Sequence, residues 1–307
     1  MDDRSFRPSV QRPHSATFPT MGTLLRVAWA GNNHGIAAAL HQKVRHLERL
    51  MTRFREDSEV SRLGSQWVEV SSDTAAVLGA AKLYEHQTGG HFSVLVGRQM
   101  REWEAIAGGD AAKPRPTRGK IEIDGPRCRI LDAPERPVDL GGIAKGYAAD
   151  QLRDLARSMG ATDVLVSLGT SSISVAGAPA TIGLASPWHG PDRIGSLTLE
   201  LGALAVSADP GTRIGAQRRR SHVLNPDTGT PALTDLCGVV VTGADGMACE
   251  AFSTAYLAMG LSAAMHLDAQ HPELNTVFMT VDGRLLASPD LKLRTVSGLQ
   301  AWFERQR

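Results

Sequence analysis

The segment from Asp139 to Asp150, DLGGIAKGYAAD, constrains the fold more than any other part of the chain. It follows a strand-like stretch at residues 137–140, and Gly141 and Gly142 permit a tight backbone turn with a close approach to a neighbour. Apolar residues then recur every three to four positions up to Gly160, which is suited to end a helix. The sequence therefore predicts a strand, a glycine turn and a helix in direct succession.

The beginning of this predicted helix is suited to bind an anion. Free backbone amides give a helix N-terminus a partial positive charge, and Lys145 in the first turn adds a full one. Two simpler interpretations stay open, because a Gly-Gly pair is often only a strand-to-helix turn and an early lysine is often solvated. The spacing matches neither a P-loop nor a G-x-G-x-x-G motif, so a nucleotide would be held in another way.

Composition limits the class of protein. The chain has 307 residues with 42% hydrophobic content, enough for one large core or two fused lobes. Its 33 basic and 32 acidic residues create no general field for nucleic acid. Cys128, Cys237 and Cys249 lack the spacing of a zinc site or a disulfide framework, which favours a reducing compartment. With neither an export signal nor a long apolar segment in view, we predict a cytoplasmic protein without a membrane partner.

The pattern of segments predicts an α+β fold. Residues 1–17 are expected to form a flexible arm, and residues 18–307 a single domain. Besides the central helix, helices are predicted at about 36–54, 72–88 and 248–259, the second of them capped by Ser72 or Asp73. Short strands between residues 164 and 201 predict an antiparallel meander.

A second polar motif, SHVLNPDTG, runs from Ser221 to Gly229, just after three arginines at 218–220. Its histidine, Asn-Pro and Thr-Gly elements predict a tight turn whose imidazole, hydroxyl and backbone amides converge on one ligand. The arginines are either a solvated loop or neighbours of a bound phosphate.

A third feature lies on the helix predicted at 248–259. Glu250 and Thr254 are four residues apart and share one helical face, so their oxygens could bind a hard cation such as Mg²⁺. The alternative is structural, with Glu250 as a capping carboxylate near the helix N-terminus and Thr254 bonded back to the backbone.

Together and in this order, these segments resemble the ApbE family, the FAD:protein FMN transferases. The resemblance extends from Met21 to about Gly260. Besides the three motifs above, it rests on these segments: Met21-Gly22-Thr23, Met51-Thr52-Arg53-Phe54, the run from Asp57 to Leu63, Gly90-His91-Phe92 with Trp103 after it, Leu168-Gly169, and the strand from Gly202 to Asp209.

This resemblance implies a T-fold-like α+β architecture of mostly antiparallel sheets with packed helices. It implies that FAD binds in a cleft with Mg²⁺ on its pyrophosphate. FMN would pass to a threonine or serine hydroxyl of a flavoprotein acceptor, with release of AMP. Such a cleavage requires neutralised phosphate charge and a positioned hydroxyl, which suits the anion site predicted from the residues alone.

The resemblance also implies roles for individual residues. His222 would act as the acid or base and Lys145 would neutralise phosphate charge. Met21 and Phe54 would pack near the flavin ring, although both are equally suited to a core. The full set of implied FAD contacts is Met21, Phe54, Asp139, Gly141, Gly142, Lys145, Ser207, Thr228 and Gly229. The implied Mg²⁺ ligands are Glu250, Thr254 and the carbonyl of Ala144.

Several positions differ from the family pattern. Glu250 replaces an aspartate, and its extra methylene would displace the cation or place water between them. The other differences are Thr170 and Ser171 in a Gly-Gly-Asp turn, Ser93-Val94-Leu95 after Phe92, Val206 and Ala208 around Ser207, Gly64 for an asparagine, and Asn225 for an aspartate. Two alternatives therefore accompany the transferase: a non-catalytic FAD- or nucleotide-binding protein, and a pyrophosphatase that splits FAD into FMN and AMP.

We predict that His222→Ala abolishes turnover of FAD and leaves the fold intact, because the imidazole is the candidate base. Steady-state AMP release and circular dichroism would measure the two effects. His266→Ala, outside the shared motifs, is the control. An unchanged rate in His222→Ala would remove the catalytic assignment.

Overall fold

The computed structural model describes residues 14–107, 116, 119–188, 193–208, 223–296 and 301–302. Its helices are α1 (Ile36–Met51), α2 (Glu59–Arg62), α3 (Ser72–Gln87), α4 (Gly97–Ala107), α5 (Ala144–Ser158), α6 (Gly246–Met259) and α7 (Leu261–Asp268). Its strands are β1 (His14–Thr20), β2 (Thr23–Gly31), β3 (Val68–Glu69), β4 (Lys120–Asp124), β5 (Arg127–Leu131), β6 (Ala161–Leu168), β7 (Ser172–Ala176), β8 (Ala180–Ala185), β9 (Arg193–Leu199), β10 (Gly202–Ala208), β11 (Leu224–Asn225), β12 (Thr230–Pro231), β13 (Leu236–Gly243), β14 (Asn275–Thr280), β15 (Leu285–Ala287), β16 (Leu293–Thr295) and β17 (Ala301–Trp302).

A large mixed sheet forms the centre of the fold. Its strand order is β1-β2-β6-β7-β10-β13-β14-β15-β17, and its pairs are antiparallel except β15 with β17. Smaller sheets have the orders β16-β9-β8 and β3-β5-β4, and β11 pairs with β12. The prediction of an α+β fold with mostly antiparallel sheets is therefore confirmed.

The large sheet is buried on both faces. Along β6, Val164, Val166 and Leu168 pack into the core formed with α1, α3, α5 and α6, whereas Leu165 packs into a second core with β8 and β9. This alternation is the two-residue period of a strand. The helices thus cover one face and the β16-β9-β8 sheet covers the other. None of the helices in the described part of the chain is long and apolar enough to cross a bilayer.

Some boundaries and pairings differ from the sequence-based expectations. Residues 14–17, assigned to the arm, belong to β1 and pair with β2. The strands expected to form one meander divide between two sheets: β6 and β7 lie in the large sheet, β8 and β9 in the small one. Helix α3 is capped by Ser71, whose Oγ accepts from the Thr74 amide at 3.2 Å, and not by Ser72 or Asp73.

The expected strand before the glycine turn is also wrong. Residues 137–140 belong to no helix and no sheet. The amide of Asp139 donates to the carbonyl of Val94 at 2.8 Å. The amide of Gly97 donates to the carbonyl of Pro137 at 2.8 Å. The segment is thus held by the loop before α4. Helix α5 follows it closely, with Ile143 as the N-cap residue.

Helices α5 and α6 touch through two glycines. A Cβ on Gly146 would lie 2.1 Å from the carbonyl oxygen of Gly246, and a Cβ on Gly246 would lie 2.6 Å from that of Gly146. Asp150 of α5 reinforces the contact, because its carboxylate accepts from the Gly246 amide at 2.7 Å and from Ser174 Oγ at 2.6 Å. Burial raises the pKa of the Asp150 carboxyl, although Ser174 and Arg153 oppose the rise.

We predict that Gly146→Ala lowers the free energy of unfolding by about 1–3 kcal/mol, because the added methyl group meets backbone that has little room to move. Denaturant unfolding would measure the change. Gly79→Ala in α3 is the matched control, since the nearest atom to its new Cβ is 4.0 Å away. There the better helix propensity of alanine should raise stability by up to about 1 kcal/mol. Equal stability of Gly146→Ala and the unmodified chain would contradict the tight contact.

Candidate active site

Two adjoining cavities lie around the glycine turn. The methionine cavity, about 480 Å³, is lined by Met21, Met51 and Phe54 among others. The hydroxyl cavity, about 190 Å³, is lined by Ser207, Thr254 and the aromatic and aliphatic side chains around them. Residues that line both are Asp139, Gly141, Lys145 and Ser171. A ligand that extends from one cavity to the other would therefore pass the beginning of α5.

The junction of the cavities is built by the glycine turn and the first turn of α5. Asp139 Oδ1 accepts from the Gly141 amide at 2.7 Å, and Lys145 Nζ donates to the Gly141 carbonyl at 3.0 Å. These bonds hold the turn in place and keep the lysine ammonium at the junction. The predicted anion site thus brings Asp139, Gly141, Gly142 and Lys145 together, as the sequence indicated.

Lys145 also contacts the candidate metal helix. Its Nζ lies 3.4 Å from each carboxylate oxygen of Glu250, a residue that is only 5% exposed. Ser172, at the beginning of β7, donates its hydroxyl hydrogen to Oε1 of the same carboxylate. Glu250 is therefore buried, hydrogen-bonded and paired with a cationic side chain. It is not a helix-capping group, since Asp245 caps α6 by accepting from the Met247 amide at 2.7 Å.

The hydroxyl cavity takes its name from a cluster on α6 and β10. Ser207 Oγ lies 2.9 Å from Ser253 Oγ and 3.3 Å from Thr254 Oγ1. Gly142, in the turn before α5, lies beside this cluster, since a Cβ on it would be 3.4 Å from Thr254 Oγ1. Ser207 and Thr254, predicted on different grounds, are thus neighbours.

Arg53 is a site residue that the sequence analysis did not single out. Its Nε lies 2.7 Å from Asp139 Oδ2, and its guanidinium carbon is 4.2 Å from the centroid of the Phe54 ring. Phe54 is 77% exposed and lines the methionine cavity, so it is not a core residue. Arg53 joins Phe54 to the glycine turn, and its place beside Phe54 in the sequence was the available signal.

Met21 lines the same cavity from the turn between β1 and β2. It has a left-handed backbone, φ 48°, and its amide donates to Glu48 Oε1 at 2.7 Å. Thr20 Oγ1 donates to Glu48 Oε2 at 3.0 Å. Glu48 of α1 therefore holds the turn that presents Met21. This contact joins residues far apart in sequence, so periodicity gave no sign of it.

Other predicted residues lie apart from the cavities or outside the described residues. Thr228 and Gly229 form the turn between β11 and β12, where the Gly229 amide donates to Asn225 O at 2.8 Å. Thr228 is exposed, and neither residue is among those that line the two cavities. His222 and the arginines at 218–220 lie outside the described residues.

Several of the positions that differ from the family pattern line the two cavities. Ser93 lines the hydroxyl cavity, and its Oγ accepts from the Leu95 amide at 3.1 Å. Thr170 lines the methionine cavity, and Ser171 lines both. Ser171 Oγ lies 3.4 Å from Ser172 Oγ, which places it beside the partner of Glu250.

The oxygen atoms near the junction are chemically suited to a hard cation. Glu250 and Thr254 lie on adjacent turns of α6, and Ala144, at the beginning of α5, lines the methionine cavity. A carboxylate, a hydroxyl and a carbonyl are the donor types that Mg²⁺ accepts, with substrate phosphates completing the shell. Within the described residues there is no group of three or more His, Cys, Asp or Glu side chains placed to hold a metal.

Comparison with known proteins gives a consistent result. The ApbE family model matches residues 21–278. An FAD:protein FMN transferase of Klebsiella pneumoniae (strain 342) is 26% identical over 303 residues, covering 93% of this chain and 95% of that protein. Another, from Treponema pallidum (strain Nichols), is 25% identical and covers 96% of this chain and 92% of its own length.

Solved structures agree in fold. The ApbE protein of Thermotoga maritima superposes with a TM-score of 0.77 at 25% identity, covering 91% of this chain and 97% of that one. The flavin transferase ApbE of Vibrio cholerae gives a TM-score of 0.72 at 22% identity, covering 93% and 97%. With a family match over most of its length, the chain belongs to the ApbE family.

Proposed function

We propose that this chain is an FAD:protein FMN transferase. It would move FMN from FAD to a threonine or serine hydroxyl of a flavoprotein acceptor and release AMP. The observation that carries the proposal is the junction at Asp139, Gly141 and Lys145, where an ammonium and a helix N-terminus lie between two cavities. A dinucleotide matches this arrangement, because its charged pyrophosphate lies between two larger groups.

The two cavities suggest how FAD lies. The methionine cavity offers a thioether and an exposed aromatic face, from Met21 and Phe54, which suit the flavin ring. The pyrophosphate then reaches Lys145 and the amides at the beginning of α5. These groups stabilise the negative charge that shifts between phosphate oxygens as the bond breaks.

Mg²⁺ belongs to the proposal as the cation of the reaction. Glu250 and Thr254, with the carbonyl of Ala144, would hold it beside the pyrophosphate. When bound, the ion supplies additional neutralisation of phosphate charge. The family resemblance and the oxygen donors support this assignment.

The transfer step is a phosphoryl displacement. The acceptor hydroxyl oxygen forms a bond to the flavin-side phosphorus, and the bond from that phosphorus to the bridging oxygen of AMP breaks. The hydroxyl proton passes to a base, for which His222 is the candidate, and AMP leaves with the bridging oxygen. Lys145, which donates to the Gly141 carbonyl at the junction, lies within reach of the developing charge.

The acceptor would be a flavoprotein, and we place the reaction in the cytoplasm on the sequence features given above. The assignment of residues 18–307 to one domain is likewise a prediction from sequence. The two alternatives, a non-catalytic flavin-binding protein and an FAD pyrophosphatase, differ from the transferase only in what happens to the flavin-side phosphate.

One assay tests the function. The purified protein is incubated with FAD and Mg²⁺, with and without a candidate flavoprotein, and AMP is measured together with flavin that stays on the denatured acceptor. We expect AMP and covalent flavin, with both lost on addition of EDTA and restored by excess Mg²⁺. AMP with free FMN would instead identify the hydrolase, and bound FAD without AMP the binding protein. Full activity in EDTA would contradict the role of Mg²⁺.

We predict that Arg53→Gln raises the Kd for FAD by about tenfold, equivalent to about 1.4 kcal/mol. The change removes the guanidinium that pairs with Asp139 and packs on the Phe54 ring. Both residues, which line the methionine cavity, therefore lose the contact that positions them. Quenching of flavin fluorescence would measure the Kd. Arg55→Gln is the matched control, because the Arg55 side chain forms an exposed pair with Asp57 away from the cavities. Equal Kd values for the two variants would refute the role of Arg53.

A further inference from the structure

We infer that Lys145 is the counter-ion of Glu250 until FAD binds, and that FAD releases Glu250 for the divalent cation. Nucleotide and cation would therefore bind cooperatively, each increasing affinity for the other. The inference rests on the proposed function and on the Mg²⁺ site included in it. It concerns the order of events at that site.

Glu250 is a buried carboxylate that depends on its neighbours for compensation. A carboxylate that is 5% exposed requires a compensating charge or hydrogen bonds. Lys145 Nζ, at 3.4 Å from both oxygens, supplies the charge, and Ser172 supplies a hydrogen bond. The carboxylate is thus compensated by the protein's own groups. A divalent cation that approaches it meets an ammonium already in contact with both oxygens.

Lys145 lies where it can contact either Glu250 or a ligand at the junction. It is 23% exposed and lines both cavities, whereas Glu250 lines the hydroxyl cavity. Lysine carries its charge on a flexible four-carbon chain with rotatable donors. A small rotation would move the ammonium from Glu250 to a pyrophosphate at the junction. Ser172 would meanwhile hold the carboxylate in its place at the beginning of β7.

The Lys145 ammonium has two possible partners, the Glu250 carboxylate and a bound pyrophosphate. A pyrophosphate carries more negative charge than one carboxylate and is reached without leaving the junction. Once Lys145 turns to it, Glu250 loses its counter-ion and becomes a strong site for a divalent cation. Thermodynamic linkage requires the effect to be reciprocal, so the cation must raise FAD affinity by the same factor.

The extra methylene of Glu250 fits this arrangement. The longer side chain contacts Ser172 and Lys145 at the same time. We therefore interpret this difference from the family pattern as the feature that makes Lys145 a competitor of the cation. From the sequence alone, the same methylene would be expected only to displace the metal.

Binding of Mn²⁺, an EPR-visible substitute for Mg²⁺, tests the inference without measuring turnover. The full-length chain and Lys145→Met are titrated with Mn²⁺, each with and without FAD. Without FAD, Lys145→Met should bind Mn²⁺ about tenfold more tightly than the unmodified chain, a change of about 1.4 kcal/mol. FAD should tighten Mn²⁺ binding in the unmodified chain by a larger factor than in Lys145→Met.

Two further variants serve as controls. Lys43→Met removes a lysine of similar exposure, 26%, that pairs with Asp73 at 3.0 Å, and it should bind Mn²⁺ like the unmodified chain. Glu250→Gln should lose tight binding both with and without FAD. Circular dichroism would show that each variant is folded.

The outcomes separate this inference from the function. If the unmodified chain with FAD binds no Mn²⁺, the magnesium proposal falls and this inference falls with it. If it binds Mn²⁺ but Lys145→Met matches Lys43→Met without FAD, only the inference is overturned. Should Lys145→Met fail to fold, the unmodified chain still decides: Mn²⁺ affinity that FAD leaves unchanged overturns the coupling.

Discussion

The close contact of α5 and α6 at Gly146 and Gly246 is the constraint on which the site depends. Gly146 directly follows Lys145, and Gly246 lies one helical turn before Glu250. Because the two backbones touch at this point, the ammonium and the carboxylate are brought within 3.4 Å. Any side chain at either glycine would separate the helices and with them the two halves of the site. Asp150 adds a polar contact at the same crossing by accepting from the Gly246 amide.

The site that results is rich in compensated charge. Asp139 is paired with Arg53, and Glu250 is paired with Lys145. A bound pyrophosphate would enter between these pairs. Its negative charge would compete with the two carboxylates for their cationic partners. A local field from one lysine and one helix N-terminus would let a chain with nearly equal numbers of basic and acidic residues bind a polyanion.

Local patterns allowed much of this to be predicted. The three-to-four-residue spacing of apolar side chains identified α1 and α5, and the glycine turn before Lys145 indicated the place where the two cavities meet. The pairing between strands could not be predicted from such local patterns. Leu165 and its neighbours are apolar on both faces of β6, so periodicity could not tell which strands shared a sheet.

Long-range polar contacts account for the remaining differences. The Asp139 amide bonds to Val94, so residues 137–140 are held without a strand partner. Glu48 and Arg53 stabilise Met21 and Phe54 through contacts that depend on tertiary structure. Glu250 was recognised from its helix, but its pairing with Lys145 joins two residues that are 105 positions apart in the chain. Such contacts exist only once α5 and α6 have docked.

A crystal structure of the chain with FAD and Mn²⁺ would test the central claim most directly, since it locates each part of the dinucleotide and the anomalous signal locates the cation. The account predicts the pyrophosphate at Gly141 and Lys145, the flavin ring between Met21 and Phe54, and the cation on Glu250 and Thr254. FAD bound away from the junction, or a pyrophosphate that does not contact Lys145, would contradict it.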